Sequence, residues 1–198
     1  MHRHRGSGRS RGSGRGQYFT FALIASISRA ACVRVPASAL LGQRDMGFVN
    51  TMQVLEGGRI AMAAMAVGLA QGALDEALKY MKQRSAFGKT LAEFNGLQGM
   101  VAEIGTEVEA ARLLTLRAAA LKDRGLPART AASMAKVFAS EVAMKAATKA
   151  LQIHGGAGYI TEFPIERIFR DAKLTEIGEG TSEIQRMVIA RDILGIRA

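Results

Sequence analysis

The sequence predicts an all-α protein, an up-and-down four-helix bundle carrying a basic N-terminal extension. Three observations point there. Ala and Met are abundant, Trp is absent and only three prolines occur, so most of the chain consists of residues that lose little on entering a helix. Hydrophobic residues make up 48% of the 198, enough for the core of one domain. Beyond Gly42, Gly and Pro separate long apolar-periodic stretches rather than short alternating ones, which is the punctuation of helices.

The elements follow in order. Residues 1–17 are low-complexity Arg/Gly/Ser with almost nothing apolar to bury, and the whole extension, residues 1–32, is expected to be disordered. Its apolar patch, Tyr18 to Ile27, is too short to span a bilayer. A basic run before an apolar patch resembles a signal peptide, and the lack of acids also suits a transit peptide. Residues 33–46 form a linker in which Pro36 fixes its own φ and biases Val35 towards an extended conformation. The bundle occupies residues 47–198. A first helix is expected from Gly47 to Gln83, with Met52, Leu55, Ile60, Met65, Leu69, Ala73 and Leu78 as its apolar stripe. Small residues (Ala61, Ala63, Ala64, Gly68, Gly72) allow close helix approach there. Arg84 to Gly88 interrupts it. A second helix spans Phe94 to Arg124 and stops at Gly125-Leu126-Pro127. A third runs from Ala128 to His154 and ends at Gly155-Gly156. A short helix, Ile165 to Ala172, then a loop, leads to a last helix from Thr181 to Leu194. Substantial helices joined by short links make an up-and-down bundle.

Charge and cysteine usage narrow the function. The net charge is +10, but residues 1–44 hold eight Arg and no acid, which leaves +2 for the remaining 154 residues. The folded body therefore lacks the charge of a nucleic-acid-binding face, and only the interleaved Gly and Arg of the tail keep that alternative open. The single cysteine is Cys32, and two of the three histidines are His2 and His4. No Cys/His metal site is expected. A lone cysteine fits a reducing compartment, the bacterial cytoplasm or the mitochondrial matrix.

Three segments between helices can carry chemistry. In Leu174-Thr-Glu-Ile-Gly-Glu179-Gly-Thr-Ser-Glu183-Ile-Gln185, Thr181 and Ser182 can cap the next helix and the acids suit its positive end. That reading leaves unexplained a carboxylate between two glycines, a loop arrangement that can aim Glu179 into a cavity for proton abstraction. In Gln152-Ile-His-Gly-Gly-Ala-Gly-Tyr159, one glycine suffices as a helix C-cap. Three in four positions also permit close backbone approach to a phosphate or ribose, whereas His154 reads as structural. In Arg84-Ser-Ala-Phe-Gly-Lys89, two cations flank an aromatic, either as a solvated helix end or as a grip on an anionic cofactor.

Taken together and in this order, Arg-x-x-Phe-Gly-Lys, Gln-x-x-Gly-Gly-x-Gly-Tyr and Ile-x-Glu-Gly-Thr-Ser-x-Ile-Gln-Arg resemble the C-terminal signatures of the acyl-CoA dehydrogenase family. The likeness runs from about Val33 to the last residue. It implies the helical C-terminal domain of an FAD-dependent enzyme that dehydrogenates the Cα–Cβ bond of an acyl-CoA thioester. A glutamate takes the α-proton, and the β-hydrogen leaves as hydride to the flavin. Carried over by motif, Glu179 is the base and Gly180 lines the thioester end. Thr181 and Glu183 contact FAD within the subunit. Arg84, Phe87, Gln152, Gly155 and Gly156 hold the flavin of a neighbouring subunit. Glu56 and Arg59 fall where the family touches the CoA moiety. The resemblance also implies a homodimer or homotetramer and electron-transfer flavoprotein as acceptor. Some branches place their base immediately before that arginine, where this chain has Gly58.

The chain departs from the pattern in places. Gly178 replaces a tyrosine common before the catalytic glutamate, which is expected to widen the acyl pocket, and Asn95 stands where glutamine is usual. The family's N-terminal helical domain and middle β domain precede the Val-Arg-Val-Pro segment, and residues 1–31 resemble neither. Two expectations follow. One is a flavoenzyme subunit that takes the missing domains from another polypeptide. The other is a catalytically inactive truncated fragment, acting only as a helical oligomerisation module.

Overall fold

The computed structural model describes Arg34 and residues 36–196; the expectations for residues 1–32 and for Val35 lie outside the described residues. The described residues fall into two units, one up to Asp45 and one from Met46 onward. In the first, Pro36 is extended and opens a single 3-10 turn, Ala37–Ala39, closed by the Ala39 N–H donating to the Pro36 carbonyl at 2.9 Å.

The second unit holds five α-helices: α1 (Gly47–Gln83), α2 (Asn95–Asp123), α3 (Arg129–His154), α4 (Ile165–Ile177) and α5 (Ser182–Ile193). The expected limits of α1, α2, α3 and α5 agree with these to within a residue at each end. The short helix does not stop at Ala172. Lys173 to Ile177 continue α4, because nothing before Gly178 breaks it. The interruption after Gln83 is a β-hairpin, β1 (Ser85–Ala86) paired antiparallel with β2 (Lys89–Thr90). Its two-residue loop has Phe87 at φ 51° and Gly88 at φ 80°, the signs of a type I′ turn.

Side-chain pairs fix the helix directions. Arg59 reaches Ser133 and Tyr80 stacks on His154, a constant offset of 74 residues, so α1 and α3 run parallel. Glu103 and Glu107 of α2 pair with Lys149 and Lys145 of α3, so α2 runs antiparallel to both. Helices α4 and α5 both pack on α3, and α4 also packs on α1, so α3 is the centre of the bundle.

Alanine dominates the core. Ala63, Ala66, Ala70, Ala73 and Ala77 of α1 face Ala135, Ala139, Ala143, Ala146 and Ala150 of α3, all essentially without exposure. Side chains this small allow close axis approach, near the short end of the usual 8–10 Å. This corrects the expected stripe on α1. Only its Ala73 is fully buried; Ile60, Leu69 and Leu78 pack at the margins, and Met52 and Met65 are exposed. The large side chains flank the seam because they cannot fit in it. Ala61, Ala64 and Gly68 are exposed as well. Among the described residues no helix is long and apolar enough to cross a membrane.

Candidate active site

The segment between α4 and α5 has unusual backbone. Gly178 is extended and closes α4 through its N–H, which donates to the Leu174 carbonyl at 2.9 Å. Glu179 then takes φ 56° and Gly180 φ 92°. A left-handed residue with a Cβ costs about 1–2 kcal/mol, so contacts around it must hold it there. Lys136 of α3 donates from Nζ to the carbonyls of Glu176 (3.0 Å) and Gly180 (2.8 Å). Gln185 of α5 donates from Nε2 to the carbonyls of Glu179 and Gly180, each at 3.0 Å. Both side chains are wholly buried. Gly180 is needed for this arrangement, since a Cβ there would stand 2.8 Å from Gln185 Nε2.

The capping reading holds for Thr181 but not for Ser182. Thr181 is the N-cap of α5, its Oγ1 accepting from the Ile184 N–H at 3.5 Å. Glu183 lies in the first turn, and its carboxyl is held below the usual range by hydrogen bonds from its own N–H and the Thr181 hydroxyl. Ser182 is not a cap: its Oγ is buried without a partner.

The Glu179 side chain turns onto α1 at Gly58, where an added Cβ would lie 2.7 Å from the carboxyl carbon. Gly58 is thus the seat of the Glu179 carboxylate. The adjacent Arg59 is buried, donates from Nη1 to Ser133 Oγ at 3.5 Å and has an Nε without a partner. Burial and the nearby Arg129 push its pKa down, while Glu56 and Glu179 push it up. Glu56, Arg59, Glu179, Gly180 and Thr181 therefore share one end of the bundle. At Gly178, which is part exposed, the Met62 terminal methyl lies 2.8 Å from where a Cβ would be.

The remaining site residues of the sequence lie elsewhere. Tyr80 and His154 sit twenty-one residues beyond Arg59 and Ser133, about 32 Å along the helices. His154 is structural, as expected: its Nδ1 pairs with the Ala150 carbonyl at 2.7 Å, and its ring stacks on Tyr80 at 4.3 Å. Beside it are the hairpin with Arg84 and Phe87 and the 3-10 turn Gly155–Tyr159. Phe87 is 96% exposed in a left-handed conformation, which a bulky residue adopts only at a cost. Lys89 does not flank it as a second cation; its Nζ lies 4.3 Å from the centroid of Phe94. Two of the three glycines here have structural duties. Gly155 has φ 58° as the C-cap of α3, and a Cβ on Gly158 would come within 2.9 Å of His154 Cβ. Gly156 faces open space, and Gln152 is exposed.

Reading the sequence missed Lys136 and Gln185, although a signal exists. Lys136 is four residues after Ala132 and three before Ala139, on the buried stripe of α3; Gln185 is three residues from both Ser182 and Val188, the buried positions of α5. A polar residue in phase with a core stripe is a buried polar residue.

Glu56, Arg59 and Glu179 all fall within a stretch of the chain that matches a known family. Residues 45–194 match the family model "Acyl-CoA dehydrogenase, C-terminal domain", and the chain belongs to the acyl-CoA dehydrogenase family. Among its relatives, a probable acyl-CoA dehydrogenase of Bacillus subtilis is 52% identical over 162 residues, 82% of this chain and 43% of that protein. The caffeyl-CoA reductase–Etf complex subunit CarC of Acetobacterium woodii is 48% identical, over 82% of this chain and 43% of its own length. The structure of butyryl-CoA dehydrogenase from Megasphaera elsdenii superposes with a TM-score of 0.81 at 46% identity, covering 82% of this chain and 42% of that one. The chain thus spans about two fifths of the length of these relatives.

Proposed function

We propose that the chain supplies the catalytic base of an FAD-dependent acyl-CoA dehydrogenase. The observation that carries this reading is the Glu179 carboxylate, set on Gly58 by a left-handed backbone that buried side chains hold in place. In the reaction, Glu179 takes the α-proton of the thioester onto a carboxylate oxygen. Fixing φ and seating the carboxyl leaves it few other positions, which is the orientation such a transfer requires. Gly180 adds no side chain where the thioester would lie, and Arg59 and Glu56 stand on the neighbouring turn of α1 for the CoA moiety.

The residues of the other end fit a flavin. Phe87 offers an exposed aromatic face, Arg84 a cation, and Gly156 a backbone open to close approach. Thr181 and Glu183 would meet the cofactor at the base's own end. FAD, when bound, takes the β-hydrogen as hydride. Because the hairpin end and Glu179 are about 32 Å apart along the helices, Arg84, Phe87, Gln152, Gly155 and Gly156 serve the flavin of a neighbouring subunit. The homo-oligomer this requires, a dimer or tetramer, has a suitable surface. Ala61, Ala64, Met65 and Gly68 form an exposed apolar stripe on α1, beside exposed Leu116 of α2. The Etf complex of the Acetobacterium relative supports electron-transfer flavoprotein as the acceptor. The bacterial cytoplasm or the mitochondrial matrix suits this activity. Residues 47–198 form the family's helical domain, with 33–46 a linker.

The test is to purify the chain with FAD and add butyryl-CoA without oxygen. Bleaching of the flavin, with return of colour on adding electron-transfer flavoprotein, is expected. A colourless helical oligomer that ignores butyryl-CoA would contradict the proposal and identify a helical oligomerisation module instead.

A further inference from the structure

We infer that Lys136 is a positioning residue for the base: its buried ammonium, with the Gln185 amide, clamps the carbonyls of Glu176, Glu179 and Gly180 and so sets the direction of Glu179. The inference rests on the dehydrogenase reading for what the aim achieves, but the clamp itself is a matter of geometry. A lysine with no exposed surface is rare, and when buried it needs hydrogen-bond acceptors for its ammonium. Here its Nζ donates to Glu176 O at 3.0 Å and Gly180 O at 2.8 Å. One acceptor belongs to the last turn of α4, whose carbonyls lack partners within the helix, and a cation there also meets the negative end of the helix dipole. The other acceptor follows Glu179 directly. The ammonium therefore ties together the two sides of the residue whose φ is 56°.

Gln185 binds the same turn from the opposite helix, sharing the Gly180 carbonyl with Lys136 and adding that of Glu179. Four donated bonds thus converge on three carbonyls, those of Glu176, Glu179 and Gly180, from side chains that touch no solvent. Burial holds the Lys136 pKa below its ordinary value, opposed by Glu176, Glu141 and Glu183 and aided by Arg59. Nothing in hydrophobic packing calls for a lysine at this point of an alanine seam. Its use is to stiffen a loop that would otherwise relax out of the left-handed region and carry the carboxylate off Gly58.

The test uses the full chain. With 15N-labelled lysine, one ammonium is expected to exchange slowly with water and to vanish in Lys136→Met; rapid exchange of every lysine ammonium would overturn the assignment. Amide hydrogen exchange then compares Lys136→Met with Lys136→Arg. The Met variant should remain helical and exchange the 178–181 amides about tenfold faster, equivalent to about 1.4 kcal/mol of local stability, with α1 and α2 unchanged and the Arg variant partly restored. A folded Met variant with unaltered loop exchange overturns the inference. So does a Met variant that loses its helices altogether, since Lys136 would then serve the whole fold. In the FAD-loaded protein kcat for butyryl-CoA should fall about 100-fold with KM little moved; a loosened loop with kcat unchanged overturns the positioning role. A loosened loop in a chain whose unaltered form neither binds nor turns over acyl-CoA supports the clamp and overturns the dehydrogenase reading.

Discussion

The two ends of the bundle spend their unusual features in opposite ways. At the Glu179 end the strained residue is folded back onto the protein, and Lys136, Gln185 and Gly58 are arranged around it. At the hairpin end Phe87 has the same left-handed backbone but faces solvent almost completely. A strained side chain that the protein encloses is being aimed; one that it leaves exposed is being offered. Under the proposed function, the first end completes a site within the chain, and the second completes a site on a neighbour.

Substitutions at each end should separate these two uses. Among substitutions at Gly58, Phe87 and Glu93, the largest effect is expected from Gly58→Ala. Helix propensity alone would favour it by about 0.5–1 kcal/mol, but its Cβ takes the seat of the Glu179 carboxyl. Thermal unfolding should change little while kcat falls about 10- to 100-fold. Unchanged turnover would mean that the carboxylate works elsewhere. Next in size is Phe87→Gly, which suits a type I′ turn and relieves about 1 kcal/mol of strain. The melting temperature should rise and flavin retention should drop, as read by the FAD-to-protein absorbance ratio. Retention equal to that of the unaltered chain would refute the offering role.

The smallest effect concerns the start of α2. Glu93 accepts from the Thr90 hydroxyl at 2.8 Å and the Thr90 N–H at 2.7 Å, and these bonds hold its carboxyl below its ordinary value of 4.5. A carboxyl with a depressed folded-state pKa contributes stability that is present above the unfolded value and lost as pH falls through the folded one. Melting curves of Glu93→Gln and the unaltered chain should therefore differ at neutral pH and converge in acid. A difference that persists in acid would remove this linkage.

Much of this was legible in the sequence because Gly and Pro punctuate it so clearly. Gly125, Pro127 and Gly155 mark helix ends to within two residues. The hairpin escaped notice because its strands are two residues long, too short for any alternation to show. The core of α1 is hard to read for a different reason: the α1–α3 seam is built mainly of alanine, so apolar size does not mark burial there, and Met52 and Met65 lie outward. At the site, Glu179 stood out by its glycine neighbours, but its seat on Gly58 is a contact across 121 positions of sequence, and no local pattern reveals it. Lys136 was hidden by the ordinary expectation that lysines face water, though its phase with Ala132 and Ala139 pointed inward.

The central claim is that Glu179 removes the α-proton, and solvent exchange at that carbon tests it without waiting for hydride transfer. The FAD-loaded chain is incubated with butyryl-CoA in deuterium oxide, and deuterium at the α-carbon is followed by mass spectrometry. Incorporation by the unaltered protein, and a rate about 100- to 10,000-fold lower in Glu179→Gln with FAD still bound, is the expected result. Equal incorporation by the two proteins would contradict the claim.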